Sequence, residues 1–156
     1  YNLGKDSIEL NNLDNLAIIN DDIKNIGDYF QKSSVDKMLC NPPYFNNLDD
    51  KILNKDDKKK LARHEISVSL EDLFAIASTY LKEKGVLYMV HRASRLDELF
   101  IYANKYGINI KHIEFISTKK DKSPLIVLIK CVKNSKFGVK INNELCIEGL
   151  NTYQYF

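Results

Sequence analysis

Two consecutive prolines end the apolar run Val35 to Cys40, and they constrain this chain more than any other feature. Proline carries no backbone N–H, so Pro42 and Pro43 cannot continue a sheet ladder. Asn41 and Pro42 each precede a proline and are driven out of the helical region into extended geometry. A stiff loop at the carboxyl end of a strand follows, presenting an amide side chain, outward carbonyls and then the rings of Tyr44 and Phe45. Such a loop can hold a flat, amine-bearing molecule, and α/β sheets bind ligands at this end of their strands. It can also simply end a strand, with both rings packed into a core.

Around that point the pattern is α/β. Asp6 to Asn12 reads as helical, and Asn11-Asn12 suits a helix end. Leu16 to Ile19 reads as a short strand closed by Asn20-Asp21-Asp22. Asn46 to Arg63 has no apolar periodicity and reads as a long loop. Ser69-x-x-Asp72 has capping-box spacing, and Leu70, Leu73, Phe74, Ala77 and Leu81 fall on one helical face. Gly85 is expected to break that helix before a buried strand, Val86 to Val90. Ser94 is expected to cap a second helix, with Leu96, Leu99, Phe100 and Ala103 inward and Gly107 at its end. Ile108 to Ile116 and Leu125 to Val132 read as strands joined by the turn Lys119 to Ser123, too short for a parallel crossover. Val139 to Ile141 and Leu145 to Ile147 read as a terminal hairpin around Asn142-Asn143.

At 156 residues, with 44% hydrophobic and 28% charged content, the chain suits one globular domain over 1–156. No apolar run approaches the roughly 20 residues of a membrane span, so no membrane partner is expected. The first residues show no signal-peptide pattern. Cys40, Cys131 and Cys146 are scattered and odd in number; they read as reduced thiols of a cytoplasmic protein, without metal-ligand spacing. The net charge of +2 does not announce a nucleic-acid binder, although a local patch would suffice for one.

Three further segments follow Asn41 to Phe45 in order: Ala62-Arg63-His64-Glu65, Leu70-Glu71-Asp72-Leu73 and Val90-His91-Arg92-x-x-Arg95-Leu96. Together these resemble the bacterial tRNA1(Val) adenine-N6 methyltransferases, over roughly residues 6 to 150. The resemblance implies a Rossmann-like class I methyltransferase sheet, S-adenosyl-L-methionine as cofactor and tRNA as partner, with the adenine beside the anticodon as the site of methylation. By position it implies Asp22 as the acid that holds the cofactor's adenine, with Asn41 also at the cofactor. Asn41 and Pro42 would accept from the substrate amine and Tyr44 would stack on the base, worth roughly 1–3 kcal/mol. Pro43, Phe45, Arg63 and Arg92 would complete the substrate side. The base must be unpaired or flipped out to enter. From the residues alone, Asp22 reads as a turn residue, and Arg92 and Arg95 fit helix entry as well as phosphate binding. The stretch Lys58 to Arg63 lies among nearly balanced charges, so it fits a solvated loop equally well.

The chain also departs from the family. It lacks the glycine-rich cofactor loop after the first strand and the acid after the second, so it reads as the carboxy-terminal two-thirds of such an enzyme, inactive alone. In the family's sheet those two strands lie between the third and fourth. Leu16–Ile19 would then have no ladder leading to Val35–Cys40, and unpaired buried backbone is costly. Two rival readings are a release-factor glutamine N5-methyltransferase, which uses a similar Asn-Pro-Pro-Tyr loop, and an RNA-binding or interaction module without cofactor. Oligomeric state is not legible.

Overall fold

The computed structural model describes residues 1–42 and 68–148. Its frame is a mixed sheet in the order β1 (Val35–Cys40), β2 (Leu81–Arg92), β4 (Ile126–Lys133), β3 (Ile108–Ser117). Two short strands, β5 (Lys140–Ile141) and β6 (Leu145–Cys146), follow on the far edge of β3. β1 pairs with β2 in parallel, whereas β4 runs antiparallel to both β2 and β3. β1, β2 and β3 therefore point the same way, and their carboxyl ends share one edge of the sheet. The expected α/β class with an antiparallel late strand pair is the one that forms.

Helix α2 (Leu70–Tyr80) starts where the capping box places it. The Asp72 N–H donates to Ser69 Oγ at 3.0 Å, and the Ser69 N–H donates back to Asp72 Oδ2 at 3.1 Å. Leu70, Phe74 and Ala77 are its buried face. Helix α3 (Leu96–Lys105) buries Leu99 and Ala103. These residues meet Leu87 and Met89 of β2, Ile108, Ile110 and Ile113 of β3, and Val127, Ile129 and Cys131 of β4 in one core. Full burial of each large aliphatic or aromatic side chain stabilises by roughly 1.5–3 kcal/mol. The opposite face of the sheet carries Leu39, Tyr88, Val90, Leu128 and Lys130, and there Leu39 is 83% exposed.

Several boundaries differ from the sequence reading, each for a local reason. α2 ends at Tyr80, not at Gly85, because wholly buried Leu81 already turns extended (φ −66°, ψ 139°) to enter the core. Gly85 lies inside β2, where the register against β1 slips from Val35↔Leu81 to Lys37↔Val86 and Lys84 takes φ +62°. Ser94 caps nothing: Ala93–Arg95 is a single 3-10 turn, and α3 begins after Arg95 with no side-chain cap. The imperfect alternation in β3 is a register shift between Ile110 and His112. β5 and β6 do not form a hairpin; each pairs in parallel with β3, at His112↔Lys140 and Ile116↔Leu145. They extend along the free edge of β3, whose carbonyls accept from Asn142 (2.8 Å, at Ile113) and Ile147 (3.0 Å, at Ser117).

Before β1, helix α1 (Asn2–Leu10) starts earlier than expected and ends at Asn11, whose side-chain amide donates to the Ser7 carbonyl at 2.8 Å. None of its residues is buried. Leu16–Ile19 forms no strand; with no ladder beside it among the described residues, its peptide groups have no sheet to join. Residues 43–67 and 149–156, which include Pro43, Tyr44, Phe45 and Arg63 and the loop reading of Asn46 to Arg63, lie outside the described residues.

Two measurements check this packing. Replacing Ser69 by Ala should lower stability by about 1 kcal/mol at neutral pH, read from urea midpoints. Hydrogen bonds from the Ser69 side chain and backbone hold the Asp72 carboxyl below its usual range. Its contribution is therefore present above the unfolded-state pKa and is lost as pH falls through the depressed one. The gap between wild type and Ser69→Ala should narrow in acid, and a constant gap would rule the reciprocal pair out. Burial pushes the Cys131 thiol up to about 12. Alkylation at about pH 8 should leave Cys131 unmodified until unfolding, because only the thiolate reacts; its rapid labelling in the folded protein would contradict the core.

Candidate active site

The pairing of β1 with β2 reaches Cys40↔Met89, and Asn41 is the next residue, exposed at the carboxyl end of β1. Pro42 behind it is buried. This is the strand end expected from the paired prolines, and its amide stands on the edge that β1, β2 and β3 share. Beside it opens a cleft of about 450 Å³, lined by Leu39, Asn41, Tyr88, Val90, Leu128 and Lys130 among others. Its walls are the face of the sheet that carries no helix among the described residues. Lys130 Nζ lies 5.9 Å from the centroid of the Tyr88 ring, within cation–π range. Glu114 also borders the cleft, and its Oε2 accepts from the Asn142 amide at 3.2 Å. Cys40 also lines the cleft and packs against the core, and burial raises its thiol pKa.

Tyr88, Lys130 and Glu114 are absent from the sequence-derived site. A signal for two of them was present. Tyr88 interrupts Val86 to Val90, and Lys130 interrupts the apolar run Leu125 to Val132, each at the parity that turns it away from the helices.

Asp22 caps a 3-10 helix, Ile23–Asp28, accepting from the Lys24 N–H at 2.9 Å through Oδ1. Its neighbour Asp21 ties this segment together. Asp21 Oδ1 accepts from the Asp22 N–H (2.7 Å) and the Asn25 amide (2.8 Å), and Oδ2 accepts from the Tyr29 hydroxyl at 2.7 Å. Those bonds, that of Tyr29 foremost, hold the Asp21 carboxyl below its ordinary range. Asp22 does not line the cleft at Asn41.

At the end of β2 the two arginines separate. Arg95 donates to Glu98 through Nε (2.7 Å) and Nη2 (2.6 Å), a bidentate pair that also depresses the Glu98 carboxyl. Arg92 is exposed and forms no ion pair among the described residues. His91 is 1% exposed, and burial, with Arg95 nearby, lowers its pKa, so it stands as a neutral core imidazole at pH 7. Among the described residues no cluster of His, Cys, Asp and Glu could hold a metal ion, and no helix is long and apolar enough to cross a membrane.

No family model matches the sequence. Curated proteins do. The chain is 26% identical over 108 residues to a tRNA1(Val) (adenine(37)-N6)-methyltransferase of Phocaeicola vulgatus, a match that covers 69% of this chain and 45% of that protein. It is 30% identical over 93 residues to a protein of the same name from Porphyromonas gingivalis, covering 60% of this chain and 35% of the relative. The chain thus spans less than half the length of these relatives. Among solved structures, a predicted O-methyltransferase from Agrobacterium tumefaciens superposes with a TM-score of 0.57 at 15% identity, over 81% of this chain and 50% of that one. A putative DNA modification methylase from Thermus thermophilus, solved in complex with S-adenosyl-L-methionine, gives a TM-score of 0.50 at 12% identity, over 75% of this chain and 55% of that one. The fold is that of a Rossmann-like class I methyltransferase, and in sequence the chain is similar to the tRNA1(Val) adenine-N6 methyltransferases.

Proposed function

We propose that this chain carries the acceptor side of an S-adenosyl-L-methionine-dependent methyltransferase that modifies the N6 amine of an adenine in tRNA. The observation that carries the reading is the position of Asn41: exposed, backed by buried Pro42, at the carboxyl end of β1 in a methyltransferase sheet. The names of the sequence relatives supply the substrate class.

Adenine's exocyclic nitrogen is a weak nucleophile because its lone pair is delocalised into the ring. The side-chain oxygen of Asn41 and the carbonyl of Pro42 would accept its two N–H hydrogens, which favours the tetrahedral nitrogen that develops as the bond to carbon forms. Tyr44 would stack on the base, and Pro43, Phe45, Arg63 and Arg92 would contact the substrate. Positioning and fixed dipoles then supply most of the rate, and the surplus proton leaves to solvent after transfer. Asp22 and Asn41 fit the cofactor at two points. The Asp22 Oδ2 atom makes no hydrogen bond among the described residues and suits a polar hydrogen of adenine or ribose. When bound, the cofactor supplies an electrophilic methyl group. One domain over 1–156 and a cytoplasmic location accord with this role.

Asn41→Ala, made in the protein at its full natural length, tests the assignment. Methyl transfer to tRNA should fall by roughly 10²-fold or more, as when one preorganised hydrogen-bonding group is removed. Cofactor affinity by calorimetry should change little. Wild-type turnover in that variant would remove Asn41 from the mechanism.

A further inference from the structure

We infer that the turn between β3 and β4 is an RNA-binding element, in which Lys119, Lys120 and Lys122, with Arg92 beside them, engage the phosphate backbone of the tRNA whose base lies at Asn41. This rests on the function proposed above and adds the surface that grips the substrate.

The topology brings these groups together. β3 runs parallel to β1, so the turn that follows Ser117 lies on the same edge of the sheet as Asn41. The foot of the turn is bonded to the end of β2: the Ala93 N–H donates to the Leu125 carbonyl at 3.0 Å, and Arg92 pairs with Ile126. The turn is also held from within and from behind. The Leu125 N–H donates to the Ile116 carbonyl at 3.2 Å, Asp121 takes φ +64° at the tip, and the Lys120 N–H donates to Glu148 Oε2 at 2.9 Å. A turn anchored on three sides loses little further backbone entropy on binding, so what remains is the cost of ordering the lysine side chains.

Charge selects the partner. Lys119, Lys120, Lys122 and Arg92 are all exposed and in no ion pair among the described residues. Lys82 pairs with Asp36 and Lys105 with Glu71, and Lys24, Lys32, Lys37, Lys136 and Lys140, also exposed and in no ion pair among the described residues, stand singly; the turn alone gathers three within four described residues. The acids beside the turn are Asp121 and Glu148, and a backbone N–H already engages Glu148. With only +2 net on the whole chain, this cation density is local. β1 and β3 are three strand spacings apart, about 15 Å, and the registers put Asn41 level with Glu114, so the turn lies a further five or more residues along, about 16 Å; a strand whose base enters at Asn41 reaches the turn with phosphates a few nucleotides away. Contacts of this kind fix register and carry no sequence information.

The test is equilibrium binding of unmodified tRNA to the full natural-length protein over a range of salt, for wild type, K119A/K120A/K122A and K119R/K120R/K122R. The alanine variant should bind about tenfold or more weakly at low salt, and its slope of log K against log salt should be shallower by about 2, at roughly 0.7–0.9 per lost contact. The arginine variant should retain both. Methylation by the alanine variant should show a raised KM for tRNA with kcat near wild type. Equal affinity and slope in wild type and alanine variant would overturn the inference and leave the proposed function standing. Equal loss in the arginine variant would assign the effect to shape and overturn it as well. A wild type with no affinity for tRNA would overturn the proposed function itself.

Discussion

The parallel ladder of β1 on β2 is the constraint on which the rest depends. It ends at Cys40↔Met89, and the prolines at 42 and 43, with no N–H to donate, cannot carry it past Asn41. Asn41 is thereby fixed as the first residue beyond the ladder. The burial of Met89, Cys131 and Val127 behind it makes that end of the sheet stiff. The proposed chemistry, mostly positioning, needs such a base, since its hydrogen-bond acceptors must already stand where an amine would be.

The order of strands adds the second half of the arrangement. β4 reverses between β2 and β3, so three strands deliver their carboxyl ends to one edge, and the residues that follow them (Asn41, Ala93 and Thr118) share that edge though far apart in sequence. The reversal also closes β3 and β4 with a short turn instead of a helix. An α/β crossover there would have placed an amphipathic helix where Lys119, Lys120 and Lys122 now stand exposed. The opposite face, which carries no helix among the described residues, lines the cleft with Leu39, Tyr88 and Leu128, so the same sheet offers an apolar wall beside the exposed cations of its end.

Long, strongly patterned elements were legible in the sequence. The Ser69/Asp72 reciprocal cap and the face of Leu70, Phe74 and Ala77 placed α2, and mostly apolar runs, each interrupted once, at Tyr88 and at Lys130, placed β2 and β4. Features that depend on distant partners were not. The register slip near Gly85 arises from pairing with β1, and that in β3 from pairing with β4. β5 and β6 are two residues each, too short to carry a period, and the free edge of β3 decides their direction. Leu16–Ile19 has strand character but no neighbouring strand among the described residues. Of the site, Asn41 and Pro42 stand where the motif put them. Arg95 carried a readable signal, Glu98 three residues on, and is bound to it, whereas Arg92 is exposed and in no ion pair among the described residues. Asp22 serves first as a helix cap, which the turn reading of Asn20 to Asp22 had contained.

The most direct measurement is nucleoside mass spectrometry of unmodified total tRNA after incubation with the full natural-length protein and methyl-labelled S-adenosyl-L-methionine, with a release factor as a parallel acceptor. Label recovered as N6-methyladenosine from tRNA is the predicted result. Label found only on the release factor, or on no acceptor while the cofactor binds, would contradict an adenine site at Asn41.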